Sequence, residues 1–239
     1  MDHVSCTLGG KPVLRDISLA VQEDEILAIL GASGSGKTTI LRLILALIRP
    51  DSGQIFVDGE EISRLPERKL MRVRQKIGMV FQEGALFDSL TVGENVAFPL
   101  REAGISEEAV EERVRKILGF VNLAETIDMM PEELSGGMKR RVAIARALAA
   151  CDPRVMLYDE PTVGLDPITS HSICELIIRL REIHKVCSIM VTHSLNDAFK
   201  VATRFLVLKE GRIIFDGTGE ELKSAQDPFI QKFYQWSLR

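Results

Sequence analysis

The run Gly31-Ala32-Ser33-Gly34-Ser35-Gly36-Lys37-Thr38 constrains this chain more than any other feature, because it fits G-x-x-x-x-G-K-[ST]. That pattern makes a phosphate-binding loop only where a strand enters it and a helix leaves it. Both are predicted: a buried strand over residues 25–30, and a helix over 38–48 that Arg49-Pro50 ends. The glycines let the backbone curl until successive N–H groups point inward, and the helix start adds roughly half a positive charge. Lys37 supplies a full charge for the β- and γ-phosphates, and the Thr38 hydroxyl is suited to ligate Mg²⁺. A glycine-rich turn with an incidental lysine is the bland alternative, and the placement between strand and helix argues against it.

Short β-rich runs alternate with helical patterns at both ends of the chain, while the middle reads as mostly helical. A core interrupted by an inserted lobe is the expected arrangement. Asp51-Ser52-Gly53 is expected to turn into a strand over 54–57, and Asp58-Gly59 to make a second turn. A strand is predicted over 77–81. Residues 106–118 set Val110, Val114, Ile117 and Leu118 on one helical face, with Glu111/Arg115 and Glu112/Lys116 paired at i,i+4. The uniformly apolar run 155–158 reads as a central parallel strand. Ile173, Leu176, Ile177, Leu180 and Ile183 mark the inward face of a long helix, followed by a strand over 187–191 and a hairpin over 205–215 turning at Glu210-Gly211.

A length of 239 residues suits one large α/β domain, and 46% hydrophobic with 27% charged residues is an ordinary soluble globular profile. A net charge of −4 gives no global attraction for a phosphate backbone, so nucleic acid is not an expected partner, though a local basic patch stays open. Nothing approaches the ~20 apolar residues of a membrane span, so another chain would have to supply one. Met1-Asp2-His3 lacks the basic start of a signal peptide. Cys6, Cys151, Cys174 and Cys187 show no zinc-site spacing and are expected as small core thiols in a reducing cytoplasm.

The strand over 155–158 ends in Asp159-Glu160, two carboxylates at the edge where ligands of parallel sheets bind. Asp159 suits Mg²⁺ held through water, and Glu160 suits a general base or water-orienting group. His193 follows the next strand to the same edge, and Ser194 with Asp197 resembles a capping box that would fix where His193 points. Leu134-Ser135-Gly136-Gly137 precedes a helical run over 138–150, so a hydroxyl and two unhindered N–H groups crown a second anion site. Two chains packed with two-fold symmetry would let each phosphate loop face the partner's Ser-Gly-Gly. Lys139, Arg140 and Arg141 are expected on a solvated face.

In order, residues 31–38, Gln82, Leu134-Ser135-Gly136-Gly137, Asp159-Glu160, Gly164-Leu165-Asp166 and His193 resemble the Walker A, Q-loop, signature, Walker B, D-loop and switch histidine of ABC ATPases. The likeness covers nearly the whole chain. It implies a phosphate-loop, RecA-like α/β core with an antiparallel β lobe and an inserted helical signature lobe. Within one domain over 1–239, it places core and β lobe at 1–82 and 152–239, and the helical lobe at 83–151. It implies ATP and Mg²⁺ as cofactors, with nucleotide contacts from Gly31 to Thr38 extending to Thr39. Mg²⁺ ligation by Thr38, Gln82 and Asp159, partly through water, is implied too, with Glu160, His193 and Gln82 catalytic. Ser135, Gly136 and Gly137 would act on the partner's nucleotide, and Asp166 across the dimer interface.

Some positions depart from the family pattern. Leu8 stands where an aromatic usually stacks on adenine, Met138 replaces the signature glutamine, and Val163-Gly164 replaces Ser-Ala. The amino terminus is several residues short of the family's first strand, so Met1 is not expected to be the natural beginning. More finely, Gly84-Ala85-Leu86-Phe87-Asp88, Asn95-Val96-Ala97-Phe98-Pro99-Leu100-Arg101-Glu102, residues 134–141 and Val163-Gly164-Leu165-Asp166-Pro167-Ile168-Thr169 resemble the Mla/Mce-type phospholipid-transport ATPases. That resemblance implies a second copy of the chain, an integral-membrane permease and an Mce-domain lipid-binding protein as partners. It places the chain on the cytoplasmic face of the inner membrane, with Leu86 and Phe87 as apolar anchors for the permease. A soluble ABC remodelling ATPase is the competing class, but such relatives carry tandem cassettes or a long coiled coil, and neither is present here. A non-hydrolysing binding module is disfavoured because Lys37, Asp159, Glu160 and His193 are all present.

Overall fold

The structure, a computed structural model, describes residues 1–150 and 153–237; Cys151 and the expected lobe boundary at 151–152 lie outside the described residues. In chain order, β1 (Asp2–Leu8) and β2 (Lys11–Ile17) form a hairpin, and β3 (Ile26–Leu30) leads through the glycine-rich loop into α1 (Lys37–Ile44). Short strands β4 (Ser52–Gln54), β5 (Phe56–Val57) and β6 (Glu60–Glu61) precede α2 (Glu67–Arg74) and β7 (Ile77–Val80). Helices α3 (Val92–Glu102), α4 (Glu107–Phe120) and α5 (Gly136–Ala149) then pack on one another. Next come β8 (Val155–Asp159), α6 (Pro167–His184), β9 (Cys187–Thr192), α7 (Leu195–Val201), β10 (Arg204–Lys209) and β11 (Arg212–Gly217). Helices α8 (Gly219–Ser224) and α9 (Pro228–Ser237) complete the described chain.

Among the described residues, β11-β10-β3-β9-β8-β7 form a six-stranded sheet in that order, parallel throughout except for β11. Strand β1 sits between β2 and β4 in a separate antiparallel sheet. Side chains alternate across a strand, so the large sheet feeds two cores. Ile26, Ala28 and Leu30 of β3 join Tyr158, Val207 and the apolar faces of α3 to α7. Leu27 and Ile29 join Leu157, Val191, α1, α2 and the small antiparallel sheet on the other side. Burial on both faces is why these strands read as continuous apolar runs. This is the α/β architecture expected from the sequence, with the antiparallel lobe and the helical region in place.

Several boundaries differ from expectation. Helix α1 stops at Ile44 rather than 48, because Ala46 turns left-handed (φ 50°) and Leu47 N–H returns to the Arg42 carbonyl while Ala46 N–H bonds Leu43. Arg74 then caps the freed carbonyls of Leu45 and Ala46 at 3.0 Å each. Gly53 lies inside β4 rather than in a turn; its φ of 85° and the His3 carbonyl, 2.3 Å from where a Cβ would sit, demand glycine. The strand expected over 54–57 is broken at Ile55, whose N–H bonds Ser63 Oγ. The strand expected to reach Phe81 ends at Val80. On α6, Ile183 is 59% exposed, one step past the buried face of Ile173, Ile177 and Leu180.

A candidate phosphate site at the sheet edge

Because β7, β8, β9 and β3 are parallel neighbours, their carboxyl ends lie along one edge. That edge brings together Gln82 just beyond β7, Asp159-Glu160 at the end of β8, His193 after β9, and the loop at 31–36 after β3. The loop is held from behind. A Cβ on Gly31 would lie 2.4 Å from the Leu208 carbonyl, and one on Gly36 would lie 2.6 Å from Leu14, so β10 and β2 set its curvature. Gly36 caps α1 at φ 109°, and the first N–H groups of that helix have no intrahelical acceptor.

Lys37 folds back over the loop, donating to the carbonyls of Gly31 at 2.8 Å and Ala32 at 3.1 Å. Burial pulls its ammonium below the usual lysine range, opposed by the charges of Glu160 and Asp159. Ser35 Oγ is buried without a hydrogen-bond partner. An anion in the loop would supply both groups with acceptors. Thr39 is buried on α1. Thr38 Oγ1 donates to Asp159 Oδ1 at 3.3 Å. Burial pushes the Asp159 carboxyl up, only partly offset by Thr38. A hydroxyl beside a desolvated carboxylate is a hard-oxygen pair that fits Mg²⁺.

Glu160 adopts φ 49°, a left-handed backbone that is uncommon for a non-glycine residue and clusters at functional sites. Its N–H bonds the Val191 carbonyl at 2.9 Å, which ties the turn to β9. One carboxylate oxygen accepts the His193 N–H at 3.3 Å, and the other lies 3.0 Å from His193 Nδ1. A carboxylate only accepts, so Nδ1 carries the proton in this pair. The Glu160 side chain is 13% exposed and that of His193 61%, so the histidine covers the carboxylate from the solvent side. The Ser194 cap forms one way: Ser194 Oγ accepts from Asp197 N–H, but Ser194 N–H goes to Thr192 Oγ1. Asp197 instead anchors Thr162, Ser194 and Lys200. Burial opposes its ionisation, yet these partners hold its carboxyl below the usual range. Gln82 is exposed and makes no hydrogen bond among the described residues, so it shares the edge without joining the network.

Ser135 caps α5, its Oγ accepting from Met138 N–H at 3.3 Å. Gly136 and Gly137 are the first residues of α5 rather than a loop before it. Their lack of side chains brings α5 against the next element: a Cβ on Gly137 would lie 2.3 Å from Thr169 Cγ2, and one on Gly136 3.4 Å from Leu165. Asp166 caps α6 in turn, accepting from Ile168 and Thr169 N–H at 3.0 Å each, and the Thr169 hydroxyl, which donates to its other oxygen, holds its carboxyl below the usual range together with these bonds. Ser135-Gly136-Gly137 and the Asp166 turn therefore share one surface, and no hydrogen bond joins it to the phosphate loop among the described residues. Leu8, at the tip of the β1–β2 hairpin, is exposed.

The expectation of a solvated Arg140 is overturned: the side chain is buried and donates to the Phe81 carbonyl at 2.6 Å. Arg141 reaches Ser172 Oγ at 2.5 Å, and Lys139 is half-buried. Arg146 donates to the carbonyls of Ala85 at 2.7 Å and Gly84 at 3.0 Å and lies 5.4 Å from the Phe87 ring centroid. From the other side, fully buried Asn95 accepts from Phe87 N–H and donates toward the carbonyls of Phe87, Leu90 and Thr91. The 81–91 loop is thus clamped between α5 and α3, leaving Phe87 and Phe98 exposed with ring centroids 4.8 Å apart. Leu86 packs inward instead of offering a second exposed anchor. Sequence reading missed this clamp, although a polar residue between Val92 and Val96 on a buried helical face was its visible sign. Asn95→Leu should cost ~2–3 kcal/mol in a denaturant melt, because isosteric packing is kept while the loop's buried backbone groups lose their partner.

Comparison with known proteins shows the family. The family model for ABC transporters matches residues 14–163. The methionine import ATP-binding protein MetN of Legionella pneumophila is 40% identical over 208 residues, 87% of this chain and 61% of that protein. The intermembrane phospholipid transport system ATP-binding protein MlaF of Haemophilus influenzae is 40% identical over 226 residues, 94% of this chain and 85% of that protein. The chain thus spans about three fifths of the length of the methionine-import relatives it matches. Among solved structures, a dimeric ATP-binding cassette in a post-hydrolysis state bound to ADP and Pi superposes with a TM-score of 0.82 at 34% identity, covering 91% of this chain and 97% of that one. The cbiO1 protein from Clostridium perfringens, part of the ABC transporter complex cbiONQ, gives 0.86 at 29% identity, covering 98% and 93%.

Proposed function

Because the chain belongs to the ABC transporter family of ATP-binding cassettes, we propose that it hydrolyses ATP to drive transport through a separate permease. The observation that carries this reading is the convergence of Lys37, Thr38, Asp159, Glu160 and His193 on one sheet edge around an unpartnered Ser35 hydroxyl. Lys37 exchanges the carbonyls of Gly31 and Ala32 for the β- and γ-phosphates, while the loop N–H groups and the α1 start take the remaining charge. Thr38, Gln82 and Asp159, partly through water, would hold Mg²⁺, which would supply charge neutralisation at the phosphates. Glu160 accepts or orients the proton of the attacking water. His193, released from Glu160, fixes that water or the γ-phosphate.

Ser135, Gly136 and Gly137 point their anion site at the nucleotide of a second copy, with Asp166 at the same contact. We assign the 84–98 segment, gripped by Arg146 and Asn95, to the permease, with Phe87 and Phe98 as its exposed anchors. Phospholipid is the proposed cargo, supported by the Gly84-Ala85-Leu86-Phe87 and Asn95-Val96-Ala97-Phe98 wording and by the MlaF relative. An Mce-domain lipid-binding protein completes that assembly, with this chain at the cytoplasmic face of the inner membrane, peripheral through the permease. No helix among the described residues is long and apolar enough to cross a membrane. Import of a small solute is the second reading, favoured by the methionine-import relatives.

Isolating the native complex gently and identifying its proteins and cargo by mass spectrometry decides between the cargoes. A solute permease without an Mce-domain protein or phospholipid would remove the lipid reading and leave the ATPase reading intact. Phe87→Asp should weaken permease capture by ~10-fold or more, as expected for one buried anchor, with little change in nucleotide binding. Capture at wild-type strength would move the docking site elsewhere.

A further inference from the structure

Residues 64–76 carry Arg64, Arg68, Lys69, Arg72, Arg74 and Lys76 against the single acid Glu67, in a chain whose net charge is −4. Their partners divide them. Arg74 pairs with Glu67 and caps α1, and Lys76 pairs with Asp58 at 2.7 Å. Arg64, Arg68, Lys69 and Arg72 are exposed and form no salt bridge among the described residues. Helix α2 buries Leu70 and Val73, which turns Arg68, Lys69 and Arg72 outward together. Arg49 joins them beside the helix start, donating to the Leu65 carbonyl at 3.2 Å. Two large apolar side chains stand among these cations, Met71 at 56% exposure and Leu47 at 55%. The Arg74 guanidinium lies 3.9 Å from Met71 Sδ and donates to the carbonyl of Ala46, the residue before Leu47.

We propose that this face of α2 binds an anionic phospholipid surface. Cations interleaved with protruding aliphatic side chains match the headgroup region, where charge meets phosphate and apolar tips enter the acyl boundary. A single-stranded nucleic acid would call for aromatic stacking platforms, and Leu47 and Met71 are aliphatic. Strand β7 is the outermost strand of its sheet, α2 packs beside it, and the proposed permease-gripping loop leaves its far end. The proposal rests on the membrane-partner reading only for the direction in which this face is turned.

The test is co-sedimentation of the whole chain with phosphatidylcholine vesicles, with and without phosphatidylglycerol, alongside ATP hydrolysis by the same preparation. Binding should be at least ~10-fold stronger to the anionic vesicles and fall as salt rises. Combined Arg68→Glu, Lys69→Glu and Arg72→Glu should abolish the preference and leave ATP hydrolysis unchanged. Arg68→Lys with Arg72→Lys should keep the preference, and Met71→Ser should weaken binding without removing its salt dependence. Equal binding to both vesicles, an intact preference in the charge-reversed chain, or binding to an RNA oligonucleotide but not to anionic vesicles would each overturn it. Loss of ATP hydrolysis in the wild-type chain would instead count against the nucleotide reading, whatever the vesicles show.

Discussion

Glu160→Gln is expected to retain Mg-ATP binding and to slow hydrolysis by at least ~10²-fold, the lower end of what a positioned general base contributes. The amide keeps the shape and can still accept from the His193 N–H, now 3.3 Å from Oε2. What it loses is the ability to take up a proton from water. His193 engages both carboxylate oxygens, one through its backbone N–H and one through its ring, and each oxygen keeps a lone pair for the attacking water. ATP should therefore accumulate in a closed dimer of this variant, visible as a larger species by light scattering with ATP and not with ADP. Turnover near wild type would move the base to another residue. Lys37→Ala separates the roles: it should lose phosphate affinity before chemistry is reached.

The second large effect concerns the composite site. Ser135→Arg should abolish hydrolysis in its own homodimer, and mixing it with Glu160→Gln chains should restore part of the activity. The reason is geometric. Ser135 and Glu160 of one chain are assigned to opposite sites of the two-fold dimer, so a mixed dimer has one site with both lesions and one with neither. Loss of the Ser135 cap also costs the α5 helix ~1 kcal/mol, so a thermal melt must first show the variant folded. Recovered ATP hydrolysis on mixing is the expected readout. No recovery in a proven mixed dimer would argue against residues from two chains completing one site.

Sequence alone determined the glycine-rich loop between a strand and a helix, the placing of Asp159-Glu160 and His193 at strand ends, and the helical face of α4, where Val110, Val114 and Leu118 are buried as their spacing predicts. These are local consequences of side-chain type and period, so a single segment carries the information. The Asp58-Gly59 and Glu210-Gly211 turns were legible for the same reason, each pair having positive φ at both residues.

Tertiary structure alone decided where α1 ends, because Arg74 from a distant helix takes the carbonyls that a longer α1 would have used itself. It decided that Arg140 is buried, since its acceptor is the Phe81 carbonyl 59 residues away. It also paired His193 with Glu160 through the neighbouring β8 and β9, a register no local pattern encodes. Long polar side chains find partners in space rather than in sequence, and a buried donor must have one. Spacing could name the residues of this site, but only the packing of α5 and α3 against the 81–91 loop determined which groups hold that loop.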